Sequence, residues 1–182
     1  MASIFDRQIQ NRNFLSPIGF KFVLGKFPKV GFFCNSARIP EISLTSVSQP
    51  SYLKTIDIPG DMITFGAMNL AFLVDENMEN YMAIHNWING LGFPETTQEF
   101  KDLITNSDNI KDTKEQYSDG SLHILNSNFN TTAIVKFTDM YPTSLSSLEF
   151  NATDTDVNYF TAQVSFNYTI YNILSSDGRT PL

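Results

Sequence analysis

The sequence predicts a mainly β protein with a single flanking helix, and three observations carry that expectation. Phe occurs 16 times in 182 residues, and large aromatic side chains suit half-buried pleated surfaces. The segment Tyr159–Ile173 alternates apolar and polar residues over most of its length, the period of a strand with one buried face. Only one stretch, about Asn77 to Leu91, repeats its apolar residues at three- and four-residue spacing.

The bulk numbers bound the function. A chain of 182 residues fits one domain that buries its own core. Charged residues make up only 17%, so uncharged Asn, Ser and Thr must solvate much of the surface. The formal net charge is -7, which repels phosphate and argues against a nucleic-acid binder that works through a basic patch. A neutral or acidic channel past which DNA moves remains compatible with it. The one cysteine, Cys34, closes the apolar run Val30–Cys34; it allows no intrachain disulfide and reads as a small buried hydrophobe. Met1–Asp6 lacks the basic-then-apolar order of a signal peptide. No apolar segment approaches the ~20 residues that span a bilayer, so no membrane insertion is expected.

Residues 1–17 are polar, patternless and end at Pro17, and read as an N-terminal arm ahead of a single domain at 18–174. Gly19–Leu24 and Lys29–Asn35 read as two short strands joined in a hairpin by Gly25–Pro28. Residues 37–58, punctuated by Pro40 and Pro50, read as a long ordered loop or a projecting irregular hairpin. Leu44, Val47, Tyr52 and Ile56 supply its scattered apolar anchors. Ile63–Val74 carries apolar residues on both faces and reads as a strand covered on both sides.

The helix over about 77–91 presents Met78, Tyr81, Met82, Ile84, Trp87, Ile88 and Leu91 on one broad face. Asp75 or Asn77 is placed to cap its start, and Gly90, Gly92 and Pro94 stop it. Residues 95–120 are acidic and polar and read as an exposed excursion with a short helix near Thr97–Ile104. Strands are expected at Leu122–Asn126 and Thr132–Thr138, followed by a bend over Met140–Leu145. In the last strand Phe160, Val164, Phe166, Tyr168 and Ile170 are expected in the core, with Trp87 of the helix. Thr161, Gln163, Ser165, Asn167 and Thr169 form the opposite face, polar and without a charge. Such length exceeds the usual ~5–6 residues of a strand in a small domain. Residues 175–182 form a C-terminal tail.

Catalytic and metal-binding patterns do not emerge. His85 has no second ligand one helical turn on, and His123 stands alone in a strand. Gly90-Leu91-Gly92 follows a helix instead of opening one, so it reads as a helix stop, not a phosphate loop. Asp154-Thr155-Asp156 lacks the glycine and terminal glutamate of a calcium loop. Neither a cofactor nor an enzymatic activity is expected.

One combination of patches has a likeness. Strands end in Phe32-Phe33-Cys34-Asn35, then Ala37-Arg38-Ile39-Pro40, and a proline-marked excursion runs to Ile58-Pro59-Gly60-Asp61. The strand Ile63–Val74 passes through Asp75-Glu76-Asn77 into a helix containing Trp87. Met140-Tyr141-Pro142-Thr143-Ser144-Leu145 then precedes the long alternating Tyr159–Ile173. This order, over about Ser16–Ile173, resembles the tail-tube protein family of contractile, myovirus-like phages, whose relatives include type VI secretion tube subunits.

The resemblance implies an antiparallel β-barrel or sandwich with one flanking helix, whose sheets join those of neighbours into a ring-wide barrel. It implies homo-hexameric rings stacked into a tube, with sheath, baseplate and tape-measure proteins as partners and DNA only as passing cargo. The setting would be a virion tail assembled in the host cytoplasm. Thr161, Gln163, Ser165, Asn167 and Thr169 would then face the lumen, although an ordinary solvated sheet face fits the same alternation. Residues 37–58 and the arm would contact neighbours, and 95–120 would lie outside. The long excursion and the tail also fit a tube initiator or baseplate-proximal ring. From a different class, a monomeric ligand-binding β-barrel would need a directional polar group among the inward residues, and Phe160–Ile170 offers none.

Overall fold

The computed structural model describes residues 14–92, 97, 116–151 and 159–182. The arm up to residue 13, most of the acidic excursion and the Asp154–Asp156 turn lie outside the described residues. The elements are β1 (Phe20–Leu24), α1 (Pro28–Phe32), β2 (Cys34–Arg38), β3 (Ile42–Gln49), β4 (Ile56–Phe65) and β5 (Met68–Leu73). These are followed by α2 (Glu79–Gly92), β6 (Ser118–Leu125), β7 (Thr131–Leu145), β8 (Thr161–Asn167) and β9 (Ile170–Ser175). Among the described residues the protein is mainly β and antiparallel, with the two helices α1 and α2.

Seven strands form one sheet in the order β1-β6-β7-β8-β5-β2, with β9 also on β7. The long strand β7 divides it into two ladders. Residues 133–138 pair with β9, and the same strand pairs with β6, which carries β1 (ladder A). Residues 141–145 pair with β8, which carries β5 and then β2 (ladder B). The division falls at Asp139, whose φ of 56° puts a bend in β7. Gly120 makes the bend possible from the neighbouring strand: a Cβ there would sit 2.4 Å from the Met140 sulfur.

The ladders turn their apolar faces towards a common core. Ladder A contributes Phe22, Leu24, Leu122, Val135, Phe137 and Tyr171; ladder B contributes Met68, Leu70, Phe72, Ala162, Val164 and Phe166. Helix α2 adds Ile84 and Trp87, and α1 adds Val30. The Trp87 indole donates to the Gln116 carbonyl at 3.0 Å and packs with Phe27 and Phe166. Asn80, fully buried, donates to the Leu73 carbonyl at 2.7 Å and accepts from the Asp75 N–H at 3.3 Å. That amide fixes the turn from β5 into α2. Among the described residues the sheet does not close on itself.

Several expectations need correction. Lys29–Asn35 is not a strand paired with β1. Pro28 sits at the first turn of α1, where its fixed φ suits a helix and its missing N–H costs nothing. β1 pairs with β6 instead. Ile63–Val74 is not one strand covered on both sides. Its first residues end β4, which is exposed along its length, and β5 buries only Met68, Leu70 and Phe72. Met140–Leu145 is not a loop bend but the end of β7, with a bulge between Pro142 and Ser144 that accommodates the missing proline N–H.

The last strand is interrupted. Tyr168 and Thr169 form a corner between β8 and β9, opposite the bend in β7, and the inward phase changes there. Val164 and Phe166 are buried, Tyr168 is half-buried, and Tyr171 takes the next core position. Ile170 is therefore on the surface at 43% exposure. Phe160, before β8 begins, is 38% exposed and stacks on Phe150 at 4.7 Å instead of entering the core.

Candidate assembly interface

Three surface features stand out, and each comes from a place where the chain leaves something uncovered. The first is the outer face of ladder B. Thr161, Gln163 and Asn167 are exposed and Ser165 half-buried on it. Thr169 does not join them, since it lies in the corner, where its N–H donates to the Thr138 carbonyl at 3.1 Å.

Register brings in residues that the last strand alone could not reveal. Asn69 of β5 stands opposite Ser165 and Ala71 opposite Gln163; Arg38 of β2 stands opposite Asn69 and Ser36 opposite Ala71. The Ser165 hydroxyl donates to the Asn69 side-chain oxygen at 2.7 Å, and the Thr143 hydroxyl donates to the Ser165 carbonyl at 3.1 Å. Ser36, Arg38, Asn69, Ala71, Gln163 and Ser165 line a shallow groove of about 340 Å³. The row read from β8 is uncharged as expected, but the face as a whole is not: it carries Arg38.

The second feature is the distribution of strand edges. A bare edge presents unpaired N–H and C=O groups and invites another strand. In ladder A, β1 meets α1 so closely that a Cβ on Gly31 would sit 2.6 Å from the Phe22 carbonyl oxygen. The outer side of β9 meets the C-terminal segment through a Leu174–Pro181 bridge and the Leu182 N–H to Ile173 carbonyl bond of 3.3 Å. Ladder B differs: among the described residues, no strand adds to β2 beyond β5 or to residues 141–145 of β7 beyond β8. Its two bare edges lie on opposite sides of the same polar face.

The third is the β3–β4 hairpin, which forms a sheet of its own. Leu44, Val47 and Ile56 are exposed on it, and Tyr52 is fully exposed at its tip beside Leu53. Most of its cross-strand pairs match in polarity, Gln49 opposite Ile56 being an exception. Ile42 faces Phe65, Leu44 faces Ile63 and Val47 faces Ile58, while Ser43 bonds Thr64 and Ser48 donates to Asp57, each at 2.6 Å. This much apolar surface on a two-stranded ribbon is unusual for a free monomer. The hairpin is anchored at its roots by the corner of the last strand. The Tyr168 phenol donates to the Gly66 carbonyl at 2.8 Å and the Tyr171 phenol to the Pro40 carbonyl at 3.2 Å. Phe65 and Phe137 pack around both rings.

Titratable chemistry is sparse. Burial pushes the Cys34 thiol up to about 11, so it stays protonated and unreactive at neutral pH. Burial, with Lys21 nearby, lowers the pKa of His123. Among the described residues no three His, Cys, Asp or Glu side chains gather to hold a metal ion, and no helix is long and apolar enough to cross a membrane.

Residues 5–174 match the family model described as phage tail tube protein. No curated protein matches the chain. Among solved structures, it is similar to the anti-feeding prophage cap (the AFP tube terminating cap), with a TM-score of 0.63 and 16% identity over 96% of this chain and 99% of that one. It is similar to the sheath/tube terminator of PVC, an extracellular contractile injection system, at 0.57 and 18% identity over 91% and 100%. The PVC sheath-tube complex gives 0.53 and 16% over 96% and 99%. These likenesses show the fold, and the match over residues 5–174 places the chain in the phage tail tube protein family.

Proposed function

We propose that this chain is the ring-forming subunit of a contractile tail tube, with a structural and not a catalytic role. The observation that carries the reading is the pair of bare edges on ladder B. Joining β2 of one subunit to residues 141–145 of the next extends the ladder from subunit to subunit, and closure into a hexameric ring removes every such edge. The polar face of ladder B then lines the lumen, and α2 lies outside it. The apolar β3–β4 hairpin is left to bind a neighbouring copy, so that rings stack. Sheath, baseplate and tape-measure proteins are the further partners, and DNA passes through the lumen on ejection. The assembly belongs to the virion tail and forms in the host cytoplasm.

A terminal or initiating ring of the same fold is the second reading, favoured by the likeness to the anti-feeding prophage cap. Negative-stain electron microscopy with sizing chromatography over a range of concentrations separates them. Hollow tubes that lengthen with concentration support the main tube subunit, and isolated rings support the terminal one. A monomer that neither self-assembles nor adds to a preformed tube or baseplate overturns both.

A further inference from the structure

In ladder B, the segments 34–38, 68–73, 141–145 and 161–167 contain a single charged residue, Arg38. It is exposed on the polar face, and among the described residues it has no carboxylate partner. A chain of net charge -7 thus places a lone cation on a ladder whose strands carry no other charge. Its surroundings include amide donors. Asn69 stands directly across from it, and the Asn69 oxygen is already occupied by the Ser165 hydroxyl at 2.7 Å. The amide N–H groups of Asn69 therefore remain for something else, and Gln163 lines the same groove. A guanidinium beside amide donors is the arrangement that holds phosphate oxygens without reading a base.

We propose that Arg38, with Asn69 and Gln163, is a phosphate-holding site, and that the assembled ring grips a nucleic-acid backbone instead of letting it slide unhindered. The inference rests on the ring reading above, in which this face lines the lumen. A ring brings its arginines round one channel, where like charges repel unless an anion lies between them. A polyphosphate strand on the axis satisfies all of them, and the acidic remainder of the protein keeps it from binding elsewhere. An acidic protein segment is the competing occupant, but the continuous, evenly spaced charge of a polyphosphate strand fits a symmetric ring of arginines better.

The test uses assembled protein whose rings are confirmed by electron microscopy, with a fluorescent oligothymidylate as probe and anisotropy as readout. Wild-type rings are expected to bind it, with affinity falling on the order of a few hundredfold for a roughly fourfold rise in salt when about six phosphates are neutralised per ring. Arg38→Gln is expected to weaken binding at low salt on the order of tenfold and to flatten that salt dependence. Arg38→Lys keeps the charge and should keep the salt dependence, and Lys136→Gln, an exposed cation in ladder A, should change nothing. Rings that bind no oligonucleotide, or bind it equally after Arg38→Gln, overturn the inference and leave the ring reading standing. Arg38-dependent binding of polyglutamate without the oligonucleotide overturns it in favour of an acidic protein guest. Absence of rings, both alone and on a preformed tube or baseplate, overturns both.

Discussion

The Tyr168 phenol donates to the Gly66 carbonyl at 2.8 Å, across a sequence separation of 102 residues. That bond, with the Tyr171 to Pro40 bond of 3.2 Å, ties both roots of the β3–β4 hairpin to the corner where ladder B gives way to ladder A. A two-stranded ribbon has little stability of its own, so its direction depends on these anchors. The double variant Tyr168→Phe/Tyr171→Phe keeps the aromatic packing and removes both hydrogen bonds. We expect a loss of about 1 kcal/mol per bond in urea unfolding. Tube length should fall more than the number of rings if, as proposed, stacking uses the hairpin and ring closure uses ladder B. Equal loss of rings and tubes, or of neither, would show that the phenols do not aim the hairpin.

The same tyrosine sets a spectroscopic prediction. Burial, with Tyr171 nearby, pushes the Tyr168 pKa up from 10.0 to about 12. The folded value lies above the unfolded one, so the neutral phenol contributes stability that is fully present below about pH 10. That stability is lost as the pH climbs through about 12. Absorbance titration of folded protein should show a late-ionising tyrosine, absent in Tyr168→Phe. Stability of the wild type should fall more steeply than that of the variant over this interval; parallel falls would contradict the assignment.

Helix α2 was legible because its signal is local: the spacing of Ile84, Trp87 and Leu91 needs no knowledge of the rest of the chain. β1 was legible for the same reason, with Phe22 and Leu24 inward and Lys21 outward. The polar row Thr161–Asn167 was readable from alternation, but its neighbours were not. Arg38 and Asn69 join it only through strand register, which is a long-range property. The corner at Tyr168–Thr169 lies inside an unbroken strand-like pattern, and the bend it sits beside, at Asp139, belongs to another strand. The run Ile63–Val74 misled for a further reason. Exposed apolar residues such as Ile63 and Phe65 look the same in sequence as residues buried in a core.

Trp87 couples the helix to the ladders, and the consequence is measurable with the protein's own fluorophore, since it is the one tryptophan. Its indole bonds the Gln116 carbonyl, stacks near Phe27 and Phe166, and lies 5.2 Å under the Lys26 ammonium. Native emission should be blue-shifted and should move red on unfolding. Trp87→Phe strands the Gln116 carbonyl and should cost about 1–3 kcal/mol, and Trp87→Ala about 3–5 kcal/mol through the cavity it leaves. A native emission maximum equal to that of the unfolded chain would contradict the burial on which both figures depend.

In the proposed ring, closure needs ladder B to be sticky and ladder A to be inert, and the segment after β9 would supply part of that asymmetry. The Ser175 N–H to Thr180 carbonyl bond of 2.8 Å and the positive φ of Gly178 fold the segment back. It lies along β9, where Pro181 bridges Leu174. A proline at that position offers no N–H to a further strand, so the edge ends there. Deleting residues 177–182 removes few buried groups and should lower stability by less than about 1 kcal/mol. It should nevertheless bare the β9 edge and produce concentration-dependent light scattering at the expense of ordered rings. Pro181→Val, which restores an N–H without shortening the chain, should do the same more weakly. If the truncated protein stays monodisperse and builds the same rings, the segment does not guard the edge, and the bias towards ladder B must come from its own edges alone.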